Sequence, residues 1–330
     1  MKCVVVALAL LSITPAYGES PDSFLPQLVR DVRARIDAAL VARPPKLVPP
    51  QKVVVRWKLA KLGSLDLGAP LVALTGADLD GDGRGELYAV TTREVIALGL
   101  RGKKLEELGR VAFVGEPATP APRDVVATAI VEGGEVVASV SSWAKSLRVR
   151  KAKTALTAVA GAPGFAVCPG EVAQLAPGRN YFDGGAQRYA TRCRADLVEP
   201  DGRPIRARGE LSLTNKLDIA IERCTAASIG CQPLTHHAYS AVGVAFDFAD
   251  VDRDGKPEVI YAAAGAPGDP DILKVVTIGD DDRKWKLRKS FTAGGIAGIA
   301  IADLDGNGAQ EVVAAVRLVG ATRVDVWRVE

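Results

Sequence analysis

Three nine-residue stretches carry side chains whose types and spacing could hold a hard metal ion. They run from Asp78 to Glu86, from Asp250 to Glu258 and from Asp303 to Glu311. Each places carboxylates, or one amide, at positions 1, 3 and 5, glycine at position 6 and glutamate at position 9. Alternate side chains of a tight loop converge on one point, the glycine permits the sharp turn, and the carbonyl at position 7 faces inward. An all-oxygen set of this size suits Ca²⁺, which takes six to eight oxygens, better than Zn²⁺, which prefers nitrogen and sulfur. The expected ligands are Asp78, Asp80, Asp82, Glu86 and the Arg84 carbonyl in the first loop. In the second they are Asp250, Asp252, Asp254, Glu258 and the Lys256 carbonyl; in the third, Asp303, Asp305, Asn307, Glu311 and the Ala309 carbonyl. An EF-hand would need glutamate at position 12 and flanking helices, but Ala89, Tyr261 and Ala314 stand there and the flanks read as strands. One such loop alone would pass for a surface turn rich in Asp and Gly; three at matched strand positions do not.

The elements that must position these loops are short and β-rich. From Lys52 onward, runs with a period of two alternate with Gly, Pro and Asp clusters, and no clear helix follows residue 50. The second and third loops start 53 residues apart (250 to 303) and the first and second 172 apart (78 to 250), close to three such intervals. Residues 125 to 149 resemble a worn copy, with Val131-Glu132-Gly133-Gly134 where the acids should be. A repeat of this size predicts an all-β propeller of four-stranded blades. Five blades follow from the long spacing, while seven shorter ones would also fit residues 51 to 330. The strand expected over 52 to 59 could complete the last blade and seal the ring. Residues 161 to 240 fit least well and read as decayed blades or an inserted disulfide-bearing module.

Residues 1 to 18 read as an export signal, with Lys2, an apolar run from Cys3 to Ile13 and a small-residue exit at Ala16-Tyr17-Gly18. The run is too short to span a bilayer. Residues 22 to 42 carry apolar positions three and four apart, from Leu25 to Leu40, which predicts one N-terminal amphipathic helix. Pro44-Pro45 and Pro49-Pro50 then make a stiff linker, so residues 19 to 50 precede the repeats as a separate piece. A formal charge of +3, with both signs interspersed, gives no nucleic-acid or membrane signature. The most basic stretch, Lys145, Arg148, Arg150, Lys151 and Lys153, reads as the solvated face of a strand. Four cysteines lie beyond the signal; proximity favours Cys168 with Cys193 and Cys224 with Cys231.

The segment from Ala249 to Pro267 joins the second acidic loop to a strand, Glu258-Val259-Ile260-Tyr261-Ala262-Ala263, and a Gly265-Ala266-Pro267 turn. It resembles an FG-GAP repeat, also called a VCBS-type repeat, of integrin α-subunit propellers and exported bacterial proteins. The other two copies match its loop and strand, lack its turn, and share glutamate at position 9 in place of the family's usual aspartate. The resemblance implies a calcium-stabilised propeller that binds proteins or glycans through a face built of loops. The expected function is therefore a secreted, calcium-dependent binding, adhesion or interaction scaffold, periplasmic or extracellular, with Ca²⁺ in a structural role. An envelope enzyme using the propeller as a platform is the second reading. Its best candidates, the pair His236 and His237, sit outside any His-Glu-x-x-His or Gly-x-Ser-x-Gly motif and read as a loop element. A third is a periplasmic assembly subunit docking through the helix from Asp22 to Ala42.

Overall fold

The computed structural model describes Val29, Val32, Arg33 and residues 57–119, 125–152, 155–176, 188–199, 202–224, 231–263, 270–290 and 294–330. Most of the predicted N-terminal helix, the export signal and the Gly265-Ala266-Pro267 turn lie outside these residues. Val29, Val32 and Arg33 are helical. The chain divides into two compact units, Met1–Lys52 and Val53–Glu330. The second is all-β: its five four-stranded sheets form a five-bladed β-propeller.

The first blade comprises β2 (Ala73–Ala77), β3 (Glu86–Val90), β4 (Glu94–Arg101) and β5 (Lys104–Ala112). The second comprises β6 (Ala127–Glu132), β7 (Glu135–Val140), β8 (Leu147–Ala152) and β9 (Ala155–Ala160). A hairpin, β10 (Phe165–Cys168) and β11 (Glu171–Ala173), leads to the third blade: β12 (Arg188–Val198), β13 (Pro204–Ser212), β14 (Leu217–Cys224) and β15 (Cys231–Tyr239). The fourth blade is β16 (Val242–Ala249), β17 (Glu258–Ala263), β18 (Ile272–Thr277) and β19 (Leu287–Ser290). The fifth takes β20 (Ile296–Ala302), β21 (Glu311–Leu318) and β22 (Ala321–Val329), and its outer strand is β1 (Leu59–Leu67). Among the described residues, 161 to 240 thus hold a hairpin and one four-stranded blade.

Closure by the N-terminal strand is borne out, but its position shifts. The ladder runs from Leu59 opposite Val329 to Leu67 opposite Thr322, whereas the expected strand ended at Leu59. The apolar run Val53-Val54-Val55 is what suggests a strand further upstream; in the structure Lys58 and Glu330 exchange both backbone hydrogen bonds just before β1 begins. Asp325, buried on β22, accepts from Ser64 at 2.6 Å and pairs with Lys61 at 2.8 Å, so β1 is held by charge as well as by its ladder.

The innermost strands β2, β6, β12, β16 and β20 touch in that order around the axis, and β20 returns to β2. Small residues let them approach: a Cβ on Gly76 would lie 2.7 Å from that of Ala302. Alternate strand residues bury themselves between blades, because both faces of an inner strand pack on neighbouring sheets. Large apolar clusters fill four seams, for instance Leu74, Leu87 and Leu98 against Val313 and Val324 between the first and fifth blades. The fifth seam, between the second and third blades, is different. The hairpin intervenes there, and among the described residues the clusters are small, around Ile130, Val137 and Ala166 and around Phe165 and Val167. The Cys168–Cys193 disulfide crosses this seam, joining β10 to β12 as the sequence predicted. Cys231 is also disulfide-bonded, and Cys224 stands opposite it in the β14–β15 ladder.

Candidate metal centres and the axial vestibule

Each acidic loop connects the innermost strand of its blade to the second. The three blades are consecutive around the ring, the fourth, the fifth and the first, so the loops form one arc. Neighbouring loops touch: the Gly85 amide donates to the Asp303 carbonyl at 2.6 Å, and Arg84 passes over Gly306.

The loops share one internal wiring. The position-1 carboxylate accepts the position-6 amide in each, from Gly83 to Asp78 at 2.9 Å, Gly255 to Asp250 at 2.9 Å and Gly308 to Asp303 at 2.6 Å. The position-5 side chain accepts the position-7 amide, from Arg84, Lys256 and Ala309, at 2.8, 2.8 and 2.6 Å. Backbone at position 6 is left-handed, as the glycine there predicted, with φ of 83°, 79° and 80°. Position 4 is left-handed too, at Gly81, Arg253 and Gly306. Arg253 adopts with a side chain what glycine does freely, and this second turn position was not read from the sequence.

Three carboxylate groups bring their oxygens within 4.8 Å of one another: Asp78, Asp80 and Glu86; Asp250, Asp252 and Asp254; Asp303, Asp305 and Glu311. Of the predicted side-chain ligands, Asp82 and Glu258 stand outside these close groups, and Asn307 is exposed. The position-9 glutamates are the most buried members, with Glu258 and Glu311 at 0% exposure. Their Oε2 atoms accept the position-2 amides of Val251 and Leu304 at 3.0 and 2.8 Å. In the first loop Glu86 accepts instead from the Tyr88 hydroxyl at 3.1 Å. Burial pushes the Glu258 and Glu311 carboxyls up to about 7 and raises Glu86 as well.

The clusters could hold a metal ion, and the residues fit one in a further respect. One carboxylate oxygen in each loop is buried without a hydrogen-bond partner: Asp80 Oδ1, Asp250 Oδ1 and Glu311 Oε1. Such orphaned acceptors are costly unless a cation or donor meets them.

Sequence reasoning missed the cations that the protein itself brings. Lys286 Nζ lies 2.6 Å from Asp252, 2.6 Å from Glu258 and 3.4 Å from Asp254. Lys151, from β8 of the neighbouring blade, pairs with Asp80 and, at 2.7 Å, with Glu86. Arg328 of β22 pairs with Asp305 and lies 3.8 Å from Glu311. Lys151 holds the Asp80 carboxyl below the usual carboxylate range. The stretch read as a solvated basic face is corrected by this: Lys151 is only 7% exposed, and Arg148 and Arg150 both bind Glu135. The alternating pattern was right for a strand, and Lys145 and Arg150 are exposed as expected, but Lys151 on the opposite face is covered by the carboxylates of the neighbouring blade.

On the side of the ring that carries the loops, the axis opens into a vestibule of about 570 Å³, with Asp78 and Asp303 in its wall. Its floor is Arg192. This guanidinium donates to the carbonyls of Leu74 at 2.5 Å, Ala129 at 3.1 Å and Ile299 at 2.8 Å, and lies 3.5 Å from Asp247. One β12 side chain thereby reaches the inner strands of the other four blades. Arg194 lies beside it, donating to the Ile301 carbonyl at 3.0 Å. The spacing of Arg192 and Arg194 on either side of Cys193 was the available signal. His236 and His237 belong to β15, not to a loop, and join none of the carboxylate groups.

Neither a family model nor a curated protein matches this sequence. Among solved structures, the chain is similar to the β-propeller domain of Cps50 (Swd1) from Myceliophteria thermophila, at 10% identity and a TM-score of 0.29. That match covers 74% of this chain and 67% of the other. It is also similar to a mutant Aleuria aurantia lectin in complex with alpha-methyl-L-fucoside, at 9% identity and a TM-score of 0.39, over 85% and 96% of the two chains. The propeller assignment rests on the sheets and their order rather than on likenesses at such TM-scores. Among the described residues no helix is long and apolar enough to cross a membrane.

Proposed function

We propose that the protein is an exported, calcium-stabilised propeller of the FG-GAP/VCBS type that serves as a binding, adhesion or interaction scaffold for proteins or glycans. The observation that carries the calcium reading is the orphaned, buried carboxylate oxygen in each of the three loops. Asp78, Asp80, Asp82 and Glu86, and their counterparts at Asp250, Asp252, Asp254 and Glu258 and at Asp303, Asp305, Asn307 and Glu311, would hold the ion. The carbonyls of Arg84, Lys256 and Ala309 complete the proposed sets. Bound Ca²⁺ would supply the divalent charge that such oxygen-rich sites take. The role is structural: loops between the two innermost strands of adjacent blades are rigidified, and the vestibule wall containing Asp78 and Asp303 is rigidified with them. Export is supported by the Cys168–Cys193 disulfide, a bond that persists in oxidising compartments.

Isothermal titration of the chelator-treated protein with CaCl₂, alongside MgCl₂, tests this reading. Up to three calcium equivalents and a raised melting temperature are expected. No calcium heat and an unmoved melting temperature would refute it.

A further inference from the structure

In each acidic loop the carboxylates at positions 3 and 9 already share a cation of the protein. In the first loop these are Asp80 and Glu86 around Lys151; in the second, Asp252 and Glu258 around Lys286. Asp305 and Glu311 of the third loop face Arg328, more loosely, since its Nε and the Glu311 Oε1 are both left without a hydrogen-bond partner. The three cations come from unrelated places in the repeat. Lys151 stands on the third strand of the next blade, Lys286 in the segment before a fourth strand, and Arg328 on the third strand of its own blade. Repeat geometry alone would have delivered them from one position. Their convergence on the same carboxylate pair marks that pair as a place where positive charge is required.

Asp80, at 7% side-chain exposure, keeps a second oxygen without a partner even with Lys151 in place. A single ammonium therefore does not satisfy the group. A divalent ion and the ammonium cannot both sit between the same two carboxylates, because like charges at that separation repel strongly in a partly dry site.

We propose that the position-3 and position-9 carboxylates form a cation-exchange site, held by the chain's own lysine in the first and second loops and open to Ca²⁺ only when that lysine leaves. This deepens the calcium reading and rests on it for the identity of the incoming ion. The lysine lowers apparent affinity by the fraction of time it occupies the pair, and it stabilises the ion-free ring in return. The two loops differ in consequence. The ion pairs of Lys286 stay within the fourth blade, whereas departure of Lys151 releases a tie between the second blade and the first.

The test compares the full chain with Lys286→Met and Lys151→Met, which keep most of the apolar stem and remove the charge. Calcium titration of each variant should show one site tightened about tenfold, the gain from removing a closed state favoured ten to one. The same variants should melt lower than the parent in chelator. In the parent, ¹⁵N-detected lysine ammonium resonances protected by the ion pairs should be seen without calcium and vanish as it is added. Should either variant fail to fold, the other and the ammonium resonances decide. If the parent and both variants bind calcium equally tightly, the exchange is overturned while the calcium reading stands. If none of the three binds calcium, both fall. Binding by the variants but not by the parent would uphold the exchange and confine the native loops to their lysines.

Discussion

The ring is held together differently on its two sides. From the fourth blade through the fifth to the first, the seams are filled by large apolar clusters and capped by touching carboxylate loops. Between the second and third blades the apolar clusters among the described residues are small, and the hairpin, a disulfide and ion pairs take over. There Gly170 donates to Glu132 at 2.6 Å and Arg208 reaches Glu171 at 2.9 Å, tying the hairpin to both neighbours. The worn loop of the second blade connects the two halves. It has lost the acids of positions 1, 3 and 5, but Glu135 remains at the start of the second strand, buried like Glu86, Glu258 and Glu311. Two arginines of the same blade, Arg148 and Arg150, serve it. What the second blade shares with the acidic loops is a buried glutamate with a cation of the protein beside it.

The largest effect should come from the residue that belongs to both sides. Arg192→Leu strands three inner-strand carbonyls and leaves Asp247 buried without its closer guanidinium. A loss of about 4 kcal/mol in denaturant unfolding is expected, the scale for breaking a buried charge network. A loss below about 1 kcal/mol would mean that the axis is not a point of union.

Removing the disulfide by Cys168→Ser with Cys193→Ser should cost about 3 kcal/mol, given a separation of 25 residues. The loss should be the same with calcium as with chelator, because the bond lies in the seam without acidic loops. A calcium-dependent loss would join the two sides that the structure keeps apart.

Glu135→Gln is expected to cost about 1 kcal/mol at neutral pH, at the low end because Arg150 is 70% exposed and can turn to water. Arg148, then Arg150, hold the Glu135 carboxyl below its ordinary value of 4.5. A group depressed by folding adds stability above that ordinary value and loses it as pH falls through the folded one. The variant's stability should therefore decline less steeply than the parent's on acidification below pH 4.5. Parallel acid limbs would show that the pair carries no proton linkage.

Much of this was legible in the sequence because it is local. Nine consecutive residues determine an acidic loop, two spacings of the loops determine the blade interval, and alternation determines the strands. The cation donors were not legible. Lys151 is 71 residues from Asp80 and Lys286 is 34 from Asp252, so only the folded ring brings them together. Alternating charges such as Leu147-Arg148-Val149-Arg150-Lys151 indicate a strand with one wet face, and they do not say that Lys151, on the other face, will meet the carboxylates of the neighbouring blade. The same holds for Arg192 and Arg194: an arginine on an innermost strand looks like a surface residue until five strands surround it. The polar neighbourhood of the His236-His237 pair reads as a loop, yet β15 pairs it with Ala220 and Ile219. Strand pairing prevailed over local composition, as it does on outer strands with one solvated face.

Backbone hydrogen exchange of the whole protein, read blade by blade with calcium and with chelator, tests most directly whether carboxylate loops hold one side of the ring and other bonds the rest. Slowed exchange on calcium addition is expected for residues 78–90, 250–262 and 303–316, with residues 126–140 and the β12–β15 blade unchanged. Equal slowing in all five blades, or none in the three, would contradict it.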